Sequence, residues 1–179
     1  MDFNTALAFA FRFEGQVSND PDDHGGLTVY GLSERHHPDV CKKALAAFNQ
    51  GNHASAKQIA AEVYQKHYWK KIKADLLDPP VAIALFDCAV NLGPKKAVKL
   101  LQTALNRIGA DVDVDGLMGP ATLGAANLLY ADRIWPRLNL LRCKHYIGRV
   151  NKEPSQKKFL KGWINRVLAL SDLLDGVEP

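Results

Sequence analysis

The chain has 179 residues, 47% hydrophobic and 23% charged, with a formal net charge of +4 at pH 7. That balance suits one sizeable core, or two small lobes sharing it, and excludes a disordered chain. No window approaches the ~18 uninterrupted apolar residues of a transmembrane helix.

At the start of the chain Phe3, Leu7, Ala10 and Phe11 recur at helical spacing, and Glu14 falls on the same stripe just before Gly15, a natural helix stop. Glu14 is therefore expected in the last helical turn, on the buried face. Burial and the negative end of the helix dipole both favour its protonated form there. A protonated acid beside ionised aspartates in a wet loop is the arrangement that glycoside hydrolysis uses.

The loop that follows supplies those aspartates. Asn19-Asp20-Pro21-Asp22 reads as turn chemistry, which leaves Asp23 as the candidate second carboxylate. Gly25 and Gly26 let the backbone approach a sugar closely, and the Thr28 hydroxyl can hold a water.

Residues 41–73 are expected to be helical, with a break at Gly51 and Asn52. Pro79 and Pro80 open the next element, and Val81 to Leu92 are apolar enough for a helix buried on most of its surface, closed by Gly93-Pro94. Inside that run Asp87 and Asn91, one turn apart, either cap a neighbouring loop or face a cleft. Asn91 is the better sugar ligand of the two, because an amide both donates and accepts.

An amphipathic helix is expected over Lys95–Ile108, ending at Gly109. Asp111, Asp113, Asp115 and Gly116 match the first half of a calcium loop, but Thr122 stands where a bidentate glutamate belongs, so the segment reads as a connector. Helices are then expected over Ala121–Leu129, Ile134 to about Val150 with Leu138, Leu141, His145 and Ile147 inward, and about Ser155 to Leu174. No convincing period-2 segment occurs, so the fold class is all-α around a central buried helix.

Three cysteines, Cys41, Cys88 and Cys143, lack the spacing of a zinc site and are expected to be buried free thiols. The six histidines show no ligand spacing, so neither a metal nor a cofactor is expected. Residues 1–35 carry two basic and six acidic side chains, and the remainder carries 21 basic and 13 acidic. The basic clusters, such as Lys95, Lys96 and Lys99, suit an anionic polymer or a solvated face, and no nucleic-acid recognition motif accompanies them.

The series Glu14-Gly15, Ser18-Asn19-Asp20-Pro21, Asp23, Gly25-Gly26, Thr28 and Tyr30-Gly31 resembles the glycoside hydrolase family 108 muramidases, a lysozyme-like family of phage endolysins and bacterial proteins. The resemblance continues through Phe86-Asp87, Ala89-Val90-Asn91, Gly93, Val114-Asp115-Gly116 and Gly119-Pro120 into a peptidoglycan-binding half, and ends at Arg142, Tyr146, Phe159, Gly162-Trp163 and Asn165-Arg166-Val167. The family usually has Gly-Gly after the glutamate and Asn before the tyrosine, where this chain has Gly15-Gln16 and Val29. The spacing of Glu14, Asp23 and Thr28 is also similar to that of phage lysozymes, with Thr28 somewhat closer.

The resemblance implies a lysozyme-like helical fold, with a catalytic region over residues 1–80 and a peptidoglycan-binding region over 81–179 packed with it as one globular unit. It implies an N-acetylmuramidase with Glu14 as general acid; from the residues themselves, Asp23 and Thr28 are expected to assist, and Asn19, Gly26, Tyr30, Asp87 and Asn91 are candidate substrate contacts. The alternatives are a lytic transglycosylase and a non-catalytic peptidoglycan-binding module. The expected partner is peptidoglycan rather than nucleic acid, with a weak contact between the basic amphipathic segment Phe159–Leu174 and anionic outer membranes weighed against simple core packing. A monomer is expected. Asp2 stands where a signal peptide needs positive charge, so a cytoplasmic start and release to the periplasm through a holin are expected.

Overall fold

A computed structural model describes residues 2–18 and 27–176. The backbone divides into two compact units, Phe3–His67 and Tyr68 onward.

The first unit holds α1 (Phe3–Phe11), three two-residue strands β1 (Val17–Ser18), β2 (Thr28–Val29) and β3 (Leu32–Ser33), then α2 (Pro38–Asn49) and α3 (His53–Tyr64). The strands form one antiparallel sheet in the order β1-β2-β3, with Val17 opposite Val29 and Val29 opposite Leu32. The all-α expectation did not contain this sheet, because two-residue strands carry no periodicity to read. The break between α2 and α3 is where the sequence places it. Gly51 takes φ +76, and the Asn52 side chain caps α3 by accepting from the Ser55 N–H at 3.0 Å. α3 runs on into a π-helical turn, Gln65–Trp69.

The second unit contains α4 (Pro79–Leu92), α5 (Pro94–Asn106), α6 (Pro120–Leu128), α7 (Ala131–Lys152) and α8 (Lys157–Asp175). Pro38, Pro79, Pro94 and Pro120 each stand at the first position of a helix, where the missing N–H costs nothing and the fixed φ is already helical. Every residue of α4 from Val81 to Ala89 is buried, which makes it the central helix that its apolar run predicts. It packs on α5 and α7, and α7 packs on α8.

α7 differs from its expected face. Leu138 and Leu141 are buried, but Ile147 is 49% exposed and His145 is only half-buried, while Arg142 and Tyr146 take the inward positions. The reason is Asp87 on α4, whose side chain is fully buried. Its Oδ2 accepts from Arg142 Nη1 at 2.6 Å and its Oδ1 from Arg166 Nε at 2.9 Å, with Arg166 Nη2 in ionic contact at 2.8 Å. Burial works against the carboxylate's charge, and the Arg142 and Arg166 guanidiniums outweigh it, holding the group below the usual carboxylate range. On α8, Val167, Leu170 and Leu174 are buried, so the apolar side of this basic segment is used in packing.

The connector between α5 and α6 is shaped by one buried amide. Gln102 donates from Nε2 to Asp115 Oδ1 at 2.8 Å and accepts from the Gly116 N–H at 2.8 Å. Gly116 has φ +83, and a Cβ there would lie 2.8 Å from the Lys95 carbonyl oxygen, so the turn requires glycine.

Replacing Asp87 with Ala leaves two buried guanidiniums without their counter-charge and is expected to cost about 3–5 kcal/mol. Denaturant unfolding of the Asp87→Ala protein measures this, and a loss below about 1 kcal/mol would show the clamp to be unimportant.

Candidate active site

The α1 helix ends at Phe11, and Glu14 lies just beyond it rather than in its last turn. Two tight turns carry the chain on, since the Phe13 and Glu14 N–H groups both donate to the Ala10 carbonyl, at 3.0 and 3.2 Å. Glu14 is half-buried, which suits a proton donor that must meet both protein and substrate.

The support for Glu14 comes from the β2–β3 hairpin. Tyr30 and Gly31 form its two-residue loop with φ +48 and +75, the signs of a type I′ turn. Tyrosine in this left-handed region is disfavoured by roughly 1–2 kcal/mol. Its surroundings hold it there. The Tyr30 N–H donates to the Gln16 carbonyl at 2.8 Å, its carbonyl accepts from the Tyr64 hydroxyl at 3.3 Å, and its ring packs against Phe11 and Phe48.

Gly31 then comes directly under the acid. A Cβ at this position would fall 2.6 Å from Glu14 Oε2, and closer still to the Tyr64 hydroxyl. The carboxylate and the phenol thus occupy the space that any other residue's side chain would fill. Cys41, on α2, braces the same hairpin by donating its thiol to the Leu32 carbonyl at 3.3 Å, and its pKa is raised by burial and then by the charge of Glu34.

Of the other expected site residues, Asn19, Asp23 and Gly26 lie outside the described residues. Thr28 is a half-buried member of β2, opposite Ser18 and Ser33. Tyr30 is 8% exposed and lies in the turn under Glu14.

Asp87 and Asn91 belong to the second unit. Asp87 neither caps a loop nor faces a cleft, and with both oxygens engaged by arginines and no exposed surface it has nothing to offer a ligand. Asn91 is half-buried and accepts from the Tyr146 hydroxyl at 2.6 Å. The sequence reading did not single out Gly31 and Tyr64 as supports of the acid. The Tyr30-Gly31 pair was the available signal, a weak one because Asn or Asp normally precedes Gly in such turns.

Among the described residues no three His, Cys, Asp or Glu side chains converge to hold a metal. The chemistry that the geometry supports is proton donation by a carboxyl fixed on a short, glycine-dependent hairpin.

This is the class of site found in glycosyl hydrolases, and comparison with known proteins agrees. The model of the glycosyl hydrolase 108 family matches residues 7–93, and that of a predicted peptidoglycan domain matches residues 96–168. SagA of Brucella abortus, a solved structure, superposes with a TM-score of 0.71 at 30% identity, covering 96% of this chain and 92% of that one. No curated protein sequence matches. The chain belongs to glycosyl hydrolase family 108, and it is a glycoside hydrolase that acts on peptidoglycan.

Gly31→Ala is expected to displace the Glu14 carboxylate and lower peptidoglycan hydrolysis by about a hundredfold, the scale of a small misplacement of a catalytic group. Tyr64→Phe, which removes the buried hydrogen bond to the Tyr30 carbonyl, should cost about 1 kcal/mol of stability. Turbidity assays on purified walls together with thermal melts separate the two effects, and an active Gly31→Ala protein would refute the support role.

His37 is the N-cap residue of α2 and is half-buried, with its ring 5.3 Å from that of His67. Burial, then the charges of His67 and His36, lower its pKa below the ordinary value of 6.5. As pH falls the unfolded chain therefore takes up this proton first, so stability is present above about pH 6.5 and declines below it. Melting temperatures between pH 5 and 7.5 should show a slope that His37→Gln flattens.

Proposed function

We propose that the protein is an N-acetylmuramidase of the lysozyme type, cleaving the β-1,4 bond between N-acetylmuramic acid and N-acetylglucosamine. The observation that carries this reading is the half-buried Glu14 carboxylate seated on Gly31, in a chain of a peptidoglycan-acting family. In this scheme Glu14 protonates the leaving glycosidic oxygen. Asp23 stabilises the positive charge that develops at the anomeric carbon or activates the attacking water, and Thr28 positions that water.

Asn19 and Gly26 are the proposed sugar contacts beside them in the sequence. The reading extends to a phage or prophage endolysin that works as a monomer in the periplasm. It is supported by the pairing of a catalytic half with a peptidoglycan domain.

Purified Gram-negative peptidoglycan is digested with the wild-type and Glu14→Gln proteins, reduced with borohydride and analysed by mass spectrometry. Reducible muramic acid ends from the wild type, falling by about 10²–10⁴ in the variant, are expected. Anhydro-muramic ends would make the protein a lytic transglycosylase, and intact glycan with retained wall binding would make it a binding module.

A further inference from the structure

The helix α7 has a side that its packing does not use. Leu138, Leu141, Arg142 and Tyr146 turn inward, and the helical repeat places Pro136, Leu140, Cys143 and Ile147 in one row on the opposite side. The row is about 16 Å long at ~1.5 Å per residue. Leu140 and Ile147 are 45% and 49% exposed, Pro136 is exposed, and Cys143 is half-buried.

One flank of this row is basic. Arg133, Arg137 and Lys144 fall together on it by the same repeat. Arg133 and Arg137 line a depression with Pro136, Leu140, Asp132 and Ile108, so cations and apolar side chains share that surface. Among the described residues no ion pair or side-chain hydrogen bond engages Arg133, Arg137 or Lys144. The helix carries a single acid, Asp132, in its first turn.

The start of α7 extends the surface. The Arg133 N–H donates to the Tyr130 carbonyl at 3.0 Å, and Tyr130 is 77% exposed. Two residues before it, Leu128 is 85% exposed. An apolar row with a basic flank is the pattern of a helix that lies in a membrane interface, and a tyrosine ring suits the headgroup level. A second copy of the chain is a poorer occupant, because it would bring three more cations and one acid to the same stripe. An anionic bilayer offers both things the stripe lacks, negative charge and hydrocarbon.

We propose that the outward side of α7 docks on the surface of an anionic phospholipid bilayer through Leu140, Ile147, Tyr130, Arg133, Arg137 and Lys144. Leu140 and Ile147 reach the acyl boundary, the Tyr130 ring lies among the headgroups, and the cations meet lipid phosphates. Docking of this kind holds the protein on a membrane without crossing it, and it is independent of the chemistry at Glu14.

The test sediments the full-length protein with vesicles of equal parts phosphatidylglycerol and phosphatidylcholine, and with vesicles of phosphatidylcholine alone. Partitioning is expected to be at least about tenfold stronger onto the anionic vesicles. Arg137→Gln with Lys144→Gln should weaken it about tenfold. Lys95→Gln with Lys96→Gln removes the same charge elsewhere: burial and then the charge of Lys96 lower the pKa of His145, on the opposite side of α7 from the row. That pair should weaken partitioning less than about threefold. Unchanged melting temperatures show that the variants fold.

Depth is read separately with Leu140→Trp. Lipids brominated in the acyl chains should quench its emission and leave that of the wild type unchanged, since Trp69 and Trp135 are buried and Trp163 lies on α8. No preference for anionic vesicles, equal weakening by the two lysine-containing pairs, or bound Leu140→Trp protein that brominated lipid does not quench would overturn the proposal. So would a concentration-dependent dimer that Leu140→Ser with Ile147→Ser abolishes, which would assign the stripe to a second copy.

Discussion

A single carboxylate in the interior organises the second unit. Asp87 is reached from α7 by Arg142 and from α8 by Arg166, and all three side chains are almost entirely shielded from water. Moving such charges out of water is expensive, and only close pairing offsets it. The three helices are therefore fixed in register as well as in contact, since a slip along α7 or α8 would leave an arginine stranded. Tyr146 extends the network outward, and burial followed by the competing pull of Arg142 leaves its phenol pKa pushed up to about 12.

The first unit depends on a different kind of constraint. Its acid is held by backbone geometry, with two residues at positive φ closing a hairpin whose glycine leaves room for the carboxylate. The strain of Tyr30 persists because four neighbours over-determine its position: Gln16 through its carbonyl, Tyr64 through its hydroxyl, and Phe11 and Phe48 through their rings. The departures from the family pattern are accommodated here. Val29 is completely buried in β2, and Gln16 participates through its main chain.

The helical framework was legible in the sequence because its signals are local. Prolines at helix starts, Gly51-Asn52 at the α2–α3 break and the unbroken apolar run of α4 each act within one or two turns of chain. Glu14 was legible for the same reason, though the helix stops earlier than its apolar stripe suggests. The partners of Asp87 were not, as Arg142 and Arg166 lie 55 and 79 residues away and nothing short-range announces that an arginine will face inward. The inward face of α7 differs from the expected one because Arg142 and Tyr146 turn inward to the Asp87 network, leaving Ile147 exposed and His145 half-buried. Tyr64, 34 residues from Tyr30, was hidden in an ordinary helical pattern.

Two of the three thiols, Cys88 and Cys143, provide an internal clock for motions of the second unit's core. Cys88 follows Asp87 on α4, has no exposed surface, and is pushed up to about 11 by burial, whereas Cys143 follows Arg142 on α7 and is half-buried. A thiol reagent reaches Cys143 from the native state, but it reaches Cys88 only when the helices around the clamp part. The ratio of the two labelling rates thus reports how often the charged centre of the second unit opens, without any probe being introduced.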